Sequence, residues 1–459
     1  MKEDQKTINR KISSFAVNLK YDDLPRKVIE QAKRFLFDSI GCAYGSMNTK
    51  DVNIIKDIYT EIGGKEEATI IGFGNKIPAV NASFLNSLMI RSLDFNDIYW
   101  KEDPSHPSDI IPAALSLGEK VNASMKDVIV AIVLGYEFEQ RLCEFAKPGL
   151  RERKWHHATI TQFVSPIVAG KILNLNIDQM VNAIGISGSH NHTIGCPTAG
   201  KLTMMKNTVD PMAVQSGVFA ALMAEKGYTG TEAIFEGKEG LMDVYGPDWD
   251  LNALFSDLGK KFKIMECSMK AFPTEALTHT HISATIELVK ENSIDYNDVD
   301  EITITTIARA ADILFDPEKY KPDSRETADH SLPYCIACAV IDKKITKESF
   351  TDANIKRKEI KKVINKIKGE ASEDFEKIFP EKQPSRVKII MKNGKIFEKY
   401  LEYPKGDPRE PMNLEDLRIK FNSLIDSNIE INRLKEIENT VFSCEKYNYV
   451  NNFMRKLVI

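Results

Sequence analysis

The chain has 459 residues, of which 42% are hydrophobic and 28% charged, with a formal net charge of -4. That length exceeds what one ordinary hydrophobic core organises, so we expect two domains. The small net charge argues against nucleic acid as a partner, and no apolar run reaches the roughly 18 residues that predict a membrane-spanning helix. Lysines do cluster between Lys343 and Lys368, but acids are interleaved with them, which favours a solvated helix face.

Helices dominate the first part of the chain. Asp22 and Asp23 can cap a helix over 22–41, whose apolar residues form one stripe. A Ser124-x-x-Asp127 capping box precedes a helix over 125–141 that is apolar nearly all round, as expected of a central helix. The same pattern predicts further helices over 109–120, 160–173, 178–188 and 211–226.

The pattern changes beyond about residue 265. Glu301–Ile307 alternates with period two, and Asn393-Gly394 predicts a hairpin between β-rich runs at 386–392 and 395–401. We expect an antiparallel sheet, with helices over 282–291, 331–342 and 355–368, and a return to helix after Pro411. The predicted fold is mainly α. A large all-helical domain spans 1–265 and 406–459, and a smaller α+β lid domain over 266–405 is inserted before the C-terminal helical segment.

The cysteines and paired histidines bear on compartment and metal. Seven cysteines without regular spacing are typical of reduced thiols, so we expect a cytoplasmic protein. Cys335-Ile-Ala-Cys338 lies in an apolar helical segment with no second C-x-x-C, which favours buried core thiols over a zinc or redox site. His190-x-His192 and His279-x-His281 lack a nearby acidic pattern, so no metal is expected.

One polar stretch is the first candidate for chemistry. Arg91-Ser-Leu-Asp94-Phe-Asn-Asp97, followed by Ser105-His106-Pro-Ser108-Asp109, reads as an irregular connection between helices. Such groups are costly to bury unsatisfied, which favours a pocket, although Asp94 and Asp109 could instead be loop caps. Further polar clusters contain other candidates, each of which could also be a cap or core residue: His157, Lys206, Lys270, Glu275 and Tyr334.

Taken in order along the chain, these segments resemble the MmgE/PrpD family, which includes 2-methylcitrate dehydratase, cis-aconitate decarboxylase and iminodisuccinate epimerase. The resemblance covers nearly the whole chain. Its motifs include Leu93-Asp-Phe-Asn-Asp97, His106-Pro-Ser108, Gly135-Tyr-Glu137 and Pro404-Lys-Gly-Asp-Pro408. It implies a helical domain with an α+β lid, usually as a homodimer, working without metal or other cofactor.

The resemblance also implies site roles. Removing a proton next to a carboxylate builds up an aci-carboxylate, which needs fixed cations beside it and a base near the carbon. Lys206, Lys270 and Arg91 are the expected cations, and His157 or the Asp94–His106 pair is expected to exchange the proton. Tyr334 or a protonated imidazole would help hydroxide leave. We therefore assign catalysis to Asp94, His106, His157, Lys206 and Tyr334, and substrate binding to Arg91, Lys270, Glu275 and Ser108.

The substrate follows less directly. Pro273-Thr-Glu275 and the run Ser324–Ser331 resemble the dehydratase branch, whereas Asn96, Ile98 and Leu277 depart from it. We expect a metal-independent hydro-lyase that dehydrates a 2-hydroxy tricarboxylate such as 2-methylcitrate, with a small polycarboxylate as its partner molecule. A decarboxylase or epimerase of a related polycarboxylate, of the cis-aconitate or iminodisuccinate type, is the first alternative. A catalytically inactive helical binding protein is the second.

Overall fold

The computed structural model describes residues 6–199, 201–425 and 429–459. The fold is mainly α, as predicted. The helices are α1 Ile8–Asn18, α2 Arg26–Ser46, α3 Lys50–Ile62, α4 Ala79–Arg91, α5 Ile111–Val121, α6 Met125–Cys143, α7 Ala158–Ile172, α8 Ile177–Ser187, α9 Met205–Glu225, α10 Leu241–Tyr245, α11 Leu251–Phe255, α12 His279–Glu291, α13 Ala308–Leu314, α14 Arg325–Ala328, α15 Leu332–Asp342, α16 Asp352–Ile355, α17 Lys358–Ile364, α18 Glu373–Glu376, α19 Leu414–Leu424, α20 Ile431–Phe442 and α21 Val450–Arg455.

Local signals in the sequence explain several helix ends. The capping box predicted at Ser124 is confirmed, because its hydroxyl accepts a hydrogen bond from the backbone N–H of Asp127, whose carboxylate accepts one in return. The helix predicted over 211–226 starts earlier, at Met205, and contains Pro211. Since α6 and α7 are buried along almost their whole length, they form the centre of the helical part.

The strands are β1 Ala68–Thr69, β2 Lys76–Ile77, β3 Asp97–Trp100, β4 Pro104–Ser105, β5 Ser268–Met269, β6 Val299–Thr306, β7 Ile367–Ala371, β8 Ser385–Met391 and β9 Ile396–Leu401. The largest sheet has the order β7-β6-β8-β9. The predicted hairpin is confirmed: β8 and β9 pair antiparallel, and Gly394 has a φ of 81° between them.

Two predictions about this sheet are wrong. The helix predicted over 355–368 ends at Ile364, and residues from Ile367 onward form β7. Because β7 runs parallel to β6, the sheet is mixed and not purely antiparallel. The reason is the position of β7 at the sheet edge: only Ile367 of this strand is buried, so no alternating apolar pattern marks it as a strand.

The buried apolar residues form two large cores. One combines residues from Ile8 to Met269 with residues from Met412 to Leu457, and the other runs from Leu277 to Met391. The second core contains Cys335 and Cys338 as free, buried thiols, which confirms their prediction as core residues. The boundaries at 265/266 and 405/406, and the description of the second core as a lid, stay predictions. No helix of the described residues is long and apolar enough to cross a membrane.

Short strands join the segments that build the site. β3 pairs with β5, so that Asp97 lies opposite Met269 and Lys270 follows beside the loop that carries Asp94. Gly406 packs over this junction with a φ of 96°, and its carbonyl accepts a hydrogen bond from the Met269 N–H. A Cβ at Gly406 would lie 1.8 Å from the Met269 carbonyl oxygen, so only glycine fits there.

Candidate active site

A pocket lined by charged and apolar side chains lies between the two cores. The larger core contributes residues from the end of α4, from β3 and from the turns before α5 and α7. The smaller core contributes the segment before α12, together with α13 and the turn before α15. Its lining residues are Arg91, Asp94, Ile98, Trp100, Pro104, His106, Arg151, His157, Thr198, Lys270, Glu275, Ala276, Arg309, Ile313 and His330. Six of the nine predicted site residues are among them.

Asp94 contacts three of the buried cations. It follows α4 in the left-handed region, with a φ of 50°, a conformation that aspartate tolerates better than most side chains. Its Oδ1 accepts a hydrogen bond from Arg91 at 2.7 Å and another from the Lys270 ammonium. Burial alone would raise the pKa of Asp94, but Arg91, Lys270 and Lys206 hold it well below its usual value. Asp94 is therefore an anion that fixes surrounding cations.

Lys206 lies behind Asp94 and not on the pocket wall. Its ammonium donates to Asp94 Oδ2 at 3.1 Å and to Asp329 Oδ1 at 3.0 Å, and lies 3.2 Å from His330 Nδ1. His330 Nδ1 donates to Asp329 at 2.6 Å. Burial and the Lys206 charge lower the pKa of His330 to about 4. The structure thus corrects the expected placement of Lys206: it organises two carboxylates beneath the pocket.

His106 faces the pocket as a neutral imidazole. Its Nδ1 donates to the backbone carbonyl of Asp97 at 2.7 Å, which leaves the lone pair of Nε2 free, with no hydrogen-bond partner among the described side chains. Burial, with the positive charges of Arg91 and Lys270, lowers the pKa of His106 well below its usual value. The ring is therefore unprotonated at Nε2 and held in one tautomer, so Nε2 is available to accept a proton.

Ser108 supports this loop and does not line the pocket, contrary to its predicted role in substrate binding. Its hydroxyl donates to Asp97 Oδ1 at 2.6 Å and accepts a hydrogen bond from Asn96 at 3.0 Å. Asn96 also donates to Asp109 at 3.0 Å, so an amide here replaces what would be a third buried carboxyl beside Asp97 and Asp109. The departure at Asn96 therefore fits the packing of the loop.

His157 is the second imidazole of the pocket. Its ring centroid lies 5.3 Å from that of His106, and its Nε2 lies 3.3 Å from Asp210 Oδ2. Neither Nδ1 nor Nε2 has a hydrogen-bond partner of good geometry among the described residues, although the Asp210 carboxylate lies close to Nε2. Although burial alone would raise the pKa of Asp210, the nearby His157 and Arg91 lower it. Asp210 is thus a buried carboxylate that can orient His157.

Glu275 provides a carboxyl group to the pocket lining. Its Oε2 accepts a hydrogen bond from the backbone N–H of Leu277 at 2.7 Å, at the start of a short helical turn. Burial raises the pKa of Glu275 to about 7. A carboxyl with that pKa is available in both protonated and ionised forms near neutrality, so it can act as an acid or a base.

Tyr334 lies in the smaller core, away from the pocket. It is fully buried in α15, packs against Phe350, and its hydroxyl donates to the backbone carbonyl of Ser349. The structure therefore corrects its predicted role as a proton donor. Sequence could not separate the two possibilities, because Tyr334 follows a polar cluster but starts an apolar helix, and only the fold decides which face it occupies.

Four polar lining residues were not predicted as site residues. His330 belongs to a polar cluster that the sequence does reveal, immediately before α15. Arg151, Thr198 and Arg309 carry no such signal, since each lies in a segment of ordinary surface composition. Arg151 reaches the pocket from the turn before α7 and Arg309 from the start of α13, and these segments meet at its mouth. Thr198 reaches it from the segment before α9.

Two clusters among the described residues have the donor types that a metal would need. One is His156, His157 and Asp210, and the other is Asp94, Asp329 and His330. The Lys206 ammonium lies within 3.2 Å of an atom of each member of the second cluster, so a side-chain cation already occupies its centre. In the first cluster, Arg91 lies 4.0 Å from Asp210 and repels a second cation. Neither donor set favours a metal ion.

The pocket therefore combines fixed cations, a neutral imidazole base and a carboxyl acid between two cores. Fixed cations can hold a small anion, and an imidazole and a carboxyl group can exchange protons with it. Sequence comparison then gives the family: residues 10–254 match the MmgE/PrpD N-terminal domain and residues 272–444 match the MmgE/PrpD C-terminal domain. The chain belongs to the MmgE/PrpD family, as its motifs predicted.

Curated relatives with two different names align over most of their length. Cis-aconitate decarboxylase of Aspergillus terreus is 25% identical, with 96% of this chain and 93% of the relative aligned. Cis-aconitate decarboxylase of Homo sapiens is 25% identical over 91% of this chain and 88% of the relative. 2-Methylcitrate dehydratase of Salmonella typhi is 22% identical over 85% of this chain and 84% of the relative.

Proposed function

We propose that this protein is a hydro-lyase that removes water from a 2-hydroxy polycarboxylate such as 2-methylcitrate, without a metal or other cofactor. The observation that carries the proposal is His106. It is a neutral imidazole whose Nδ1 proton is fixed on the Asp97 carbonyl and whose free Nε2 faces a pocket lined by Arg91 and Lys270.

The proton is abstracted next to a carboxylate. His106 Nε2 takes the proton from the carbon, and the electron pair moves onto the neighbouring carboxylate to form an aci-carboxylate. Lys270 and Arg91 stabilise the added negative charge, since both cations are fixed in advance by Asp94. Low solvent access strengthens this effect, because all three side chains are no more than about 4% exposed.

The leaving group needs a proton. Glu275, with its pKa of about 7, is the acid that donates it to the departing hydroxide, which leaves as water. His157 stands beside His106 and is oriented by Asp210. It is placed to hold a hydroxyl or carboxylate of the substrate. In this mechanism Glu275 takes the role of proton donor that the sequence analysis gave to Tyr334 or a protonated imidazole.

The lid role of the smaller core belongs to the same proposal. Glu275, Arg309 and His330 reach the pocket from the segments of that core, while His106 and His157 come from the other, so the acid and the base belong to different cores. Movement of the cores relative to one another would admit substrate and exclude water from the reaction.

A decarboxylase is the second candidate. It is favoured by the relatives named as cis-aconitate decarboxylases and by the apolar part of the wall, formed by Ile98, Trp100, Pro104 and Ile313. A carboxylate held against apolar side chains loses solvation, which favours its departure as carbon dioxide. The same cations would stabilise the carbanion that remains. An epimerase of the iminodisuccinate type would remove the proton from one carbon and return it to the other face within the same pocket.

Proton NMR in deuterated buffer separates these reactions. Chelator-treated protein is given citrate, 2-methylcitrate, cis-aconitate and iminodisuccinate in turn. We expect the methyl doublet of 2-methylcitrate to be replaced by the methyl singlet of a product whose methyl group is attached to the new double bond, with no loss of carbon. Release of carbon dioxide from cis-aconitate would establish the decarboxylase instead, and conversion of iminodisuccinate to its diastereomer, with deuterium at the inverted carbon, would establish the epimerase. Unchanged spectra from folded protein would leave the inactive binding protein, and activity only with added metal would overturn the cofactor-free part of the proposal.

A further inference from the structure

Two arginines approach each other where the pocket opens. Arg151 comes from the turn before α7 in the larger core, and Arg309 comes from α13 beside the smaller core. Both line the pocket, and both also line the open groove next to it. They therefore lie at the mouth, farther out than Arg91 and Lys270, which are buried around Asp94.

Neither arginine has a strong permanent partner. Arg151 donates to Thr198 Oγ1 at 2.5 Å, and no carboxylate of the described residues lies within 4 Å of its guanidinium. Burial and the like charge of Arg309 lower the pKa of Arg151. Arg309 pairs with Glu152, whose side chain is 49% exposed, and its guanidinium lies 5.7 Å from the centre of the Trp100 ring. Exposed ion pairs of this kind are weak, so Glu152 can be displaced.

We propose that Arg151 and Arg309 together bind the substrate carboxylate that is remote from the reacting carbon, and so select tricarboxylates over dicarboxylates. A planar guanidinium from each side matches the two oxygens of one carboxylate. The arriving carboxylate takes the place of Glu152 on Arg309. Since the two arginines belong to different cores, the bound carboxylate also ties the cores together. This inference rests on the proposed function, because it assumes a polycarboxylate substrate at Arg91 and Lys270.

Binding of unreactive acids tests the inference without catalysis. Tricarballylate and 2-methylsuccinate differ by one terminal carboxylate, and calorimetric titration measures the Kd of each for the full chain. The wild type should bind tricarballylate at least about 10-fold more tightly than 2-methylsuccinate. Arg309→Gln and Arg151→Gln should each weaken the binding of tricarballylate about 10-fold and that of 2-methylsuccinate less than about 2-fold. Glu152→Gln should tighten tricarballylate by roughly 2- to 5-fold, because it frees Arg309.

A matched control separates local contact from overall charge. Arg386→Gln removes one positive charge from β8, where Arg386 is exposed and pairs with Glu398. It should leave both affinities unchanged. If the wild type binds the two acids equally, or if Arg309→Gln weakens the binding of both equally, the carboxylate clamp formed by Arg151 and Arg309 is overturned. The proposed function would still stand. Failure of the wild type to bind either acid would instead overturn the proposed function, and the clamp with it.

Discussion

Replacement of Lys206 by methionine tests how the charges beneath the pocket stabilise the fold. Methionine keeps most of the length and apolar volume of the lysine but removes the ammonium. The side chains of Lys206, Asp94 and Asp329 are 1%, 3% and 1% exposed, so both carboxylates would lose a buried cation. Removing one partner of a buried pair costs about 3–5 kcal/mol.

The remaining contacts decide where in that range the cost falls. Asp94 keeps Arg91 and Lys270, whereas Asp329 keeps only the His330 ring as a side-chain partner among the described residues. We therefore expect Lys206→Met to lower the free energy of unfolding by about 3 kcal/mol, mostly through Asp329. Turnover should fall at least about 100-fold, because the Asp94 carboxylate loses the ammonium that fixes its Oδ2, and with it the fixed position from which Oδ1 orients Arg91 and Lys270.

Urea unfolding followed by circular dichroism measures this loss, and a double variant assigns it. Adding Asp329→Asn to Lys206→Met removes the stranded charge and should restore at least about 1 kcal/mol. Lys368→Met is the matched control, since Lys368 pairs with Glu301 while 69% exposed, and should cost less than about 1 kcal/mol. A Lys206→Met protein as stable as the wild type would show that the Lys206 ammonium does not stabilise the two buried carboxylates.

Three further predictions follow from single contacts. Glu275→Gln should abolish the fall in turnover that we expect in the wild type as pH rises through about 7, and pH–rate profiles of the two proteins check it. Because burial raises this pKa above its usual 4.5, the wild type should also lose stability relative to the variant between about pH 4.5 and 7. Lys420→Met should lower the free energy of unfolding by about 3 kcal/mol, measured in urea, and should impair turnover. The reason is that the Lys420 ammonium donates to the Phe95 carbonyl at 2.6 Å and pairs with Asp38 at 2.6 Å. Lys368→Met again serves as the control. The homodimer stays a prediction, and Phe219, which is 56% exposed on α9, is a candidate contact between the subunits. Phe219→Asp should convert a dimer to a monomer, as measured by light scattering. An unchanged mass would exclude the exposed face of α9 as the dimer interface.

Local patterns predicted much of the fold. The Ser124 capping box and the Asn393-Gly394 hairpin were correct because each depends on a few adjacent residues with a specific backbone requirement. The edge strand β7 was missed because it buries one side chain only, and its partner β6 is more than sixty residues away. Pairing at that distance is decided by tertiary contacts, which a local pattern does not contain.

The site was predicted best where one loop supplies it. Arg91, Asp94 and His106 come from a single irregular stretch, and Lys270 joins them through the β3–β5 pairing. Lys206, Ser108 and Tyr334 were placed on the wall from the resemblance, but their side chains lie behind it. The difference between lining a pocket and supporting it depends on shifts of a few ångströms.

The role of the smaller core at the mouth could not be predicted from composition. Arg309 and Arg151 are ordinary surface arginines in the sequence, and they become pocket residues only when α13 and the turn before α7 meet. Motif order therefore predicted the family, whereas the position of these two arginines depends on tertiary contacts that a local pattern does not contain.

The most direct test of the proposed mechanism is the removal of His106, its proposed base. His106→Asn keeps an amide N–H that can donate to the Asp97 carbonyl but has no counterpart of Nε2. In proton NMR in deuterated buffer, the wild type should convert 2-methylcitrate to an unsaturated product. The variant, with an unfolding midpoint close to that of the wild type, should be slower by at least about 100-fold. Turnover by His106→Asn within a few-fold of the wild type would contradict the assignment of His106 as the base.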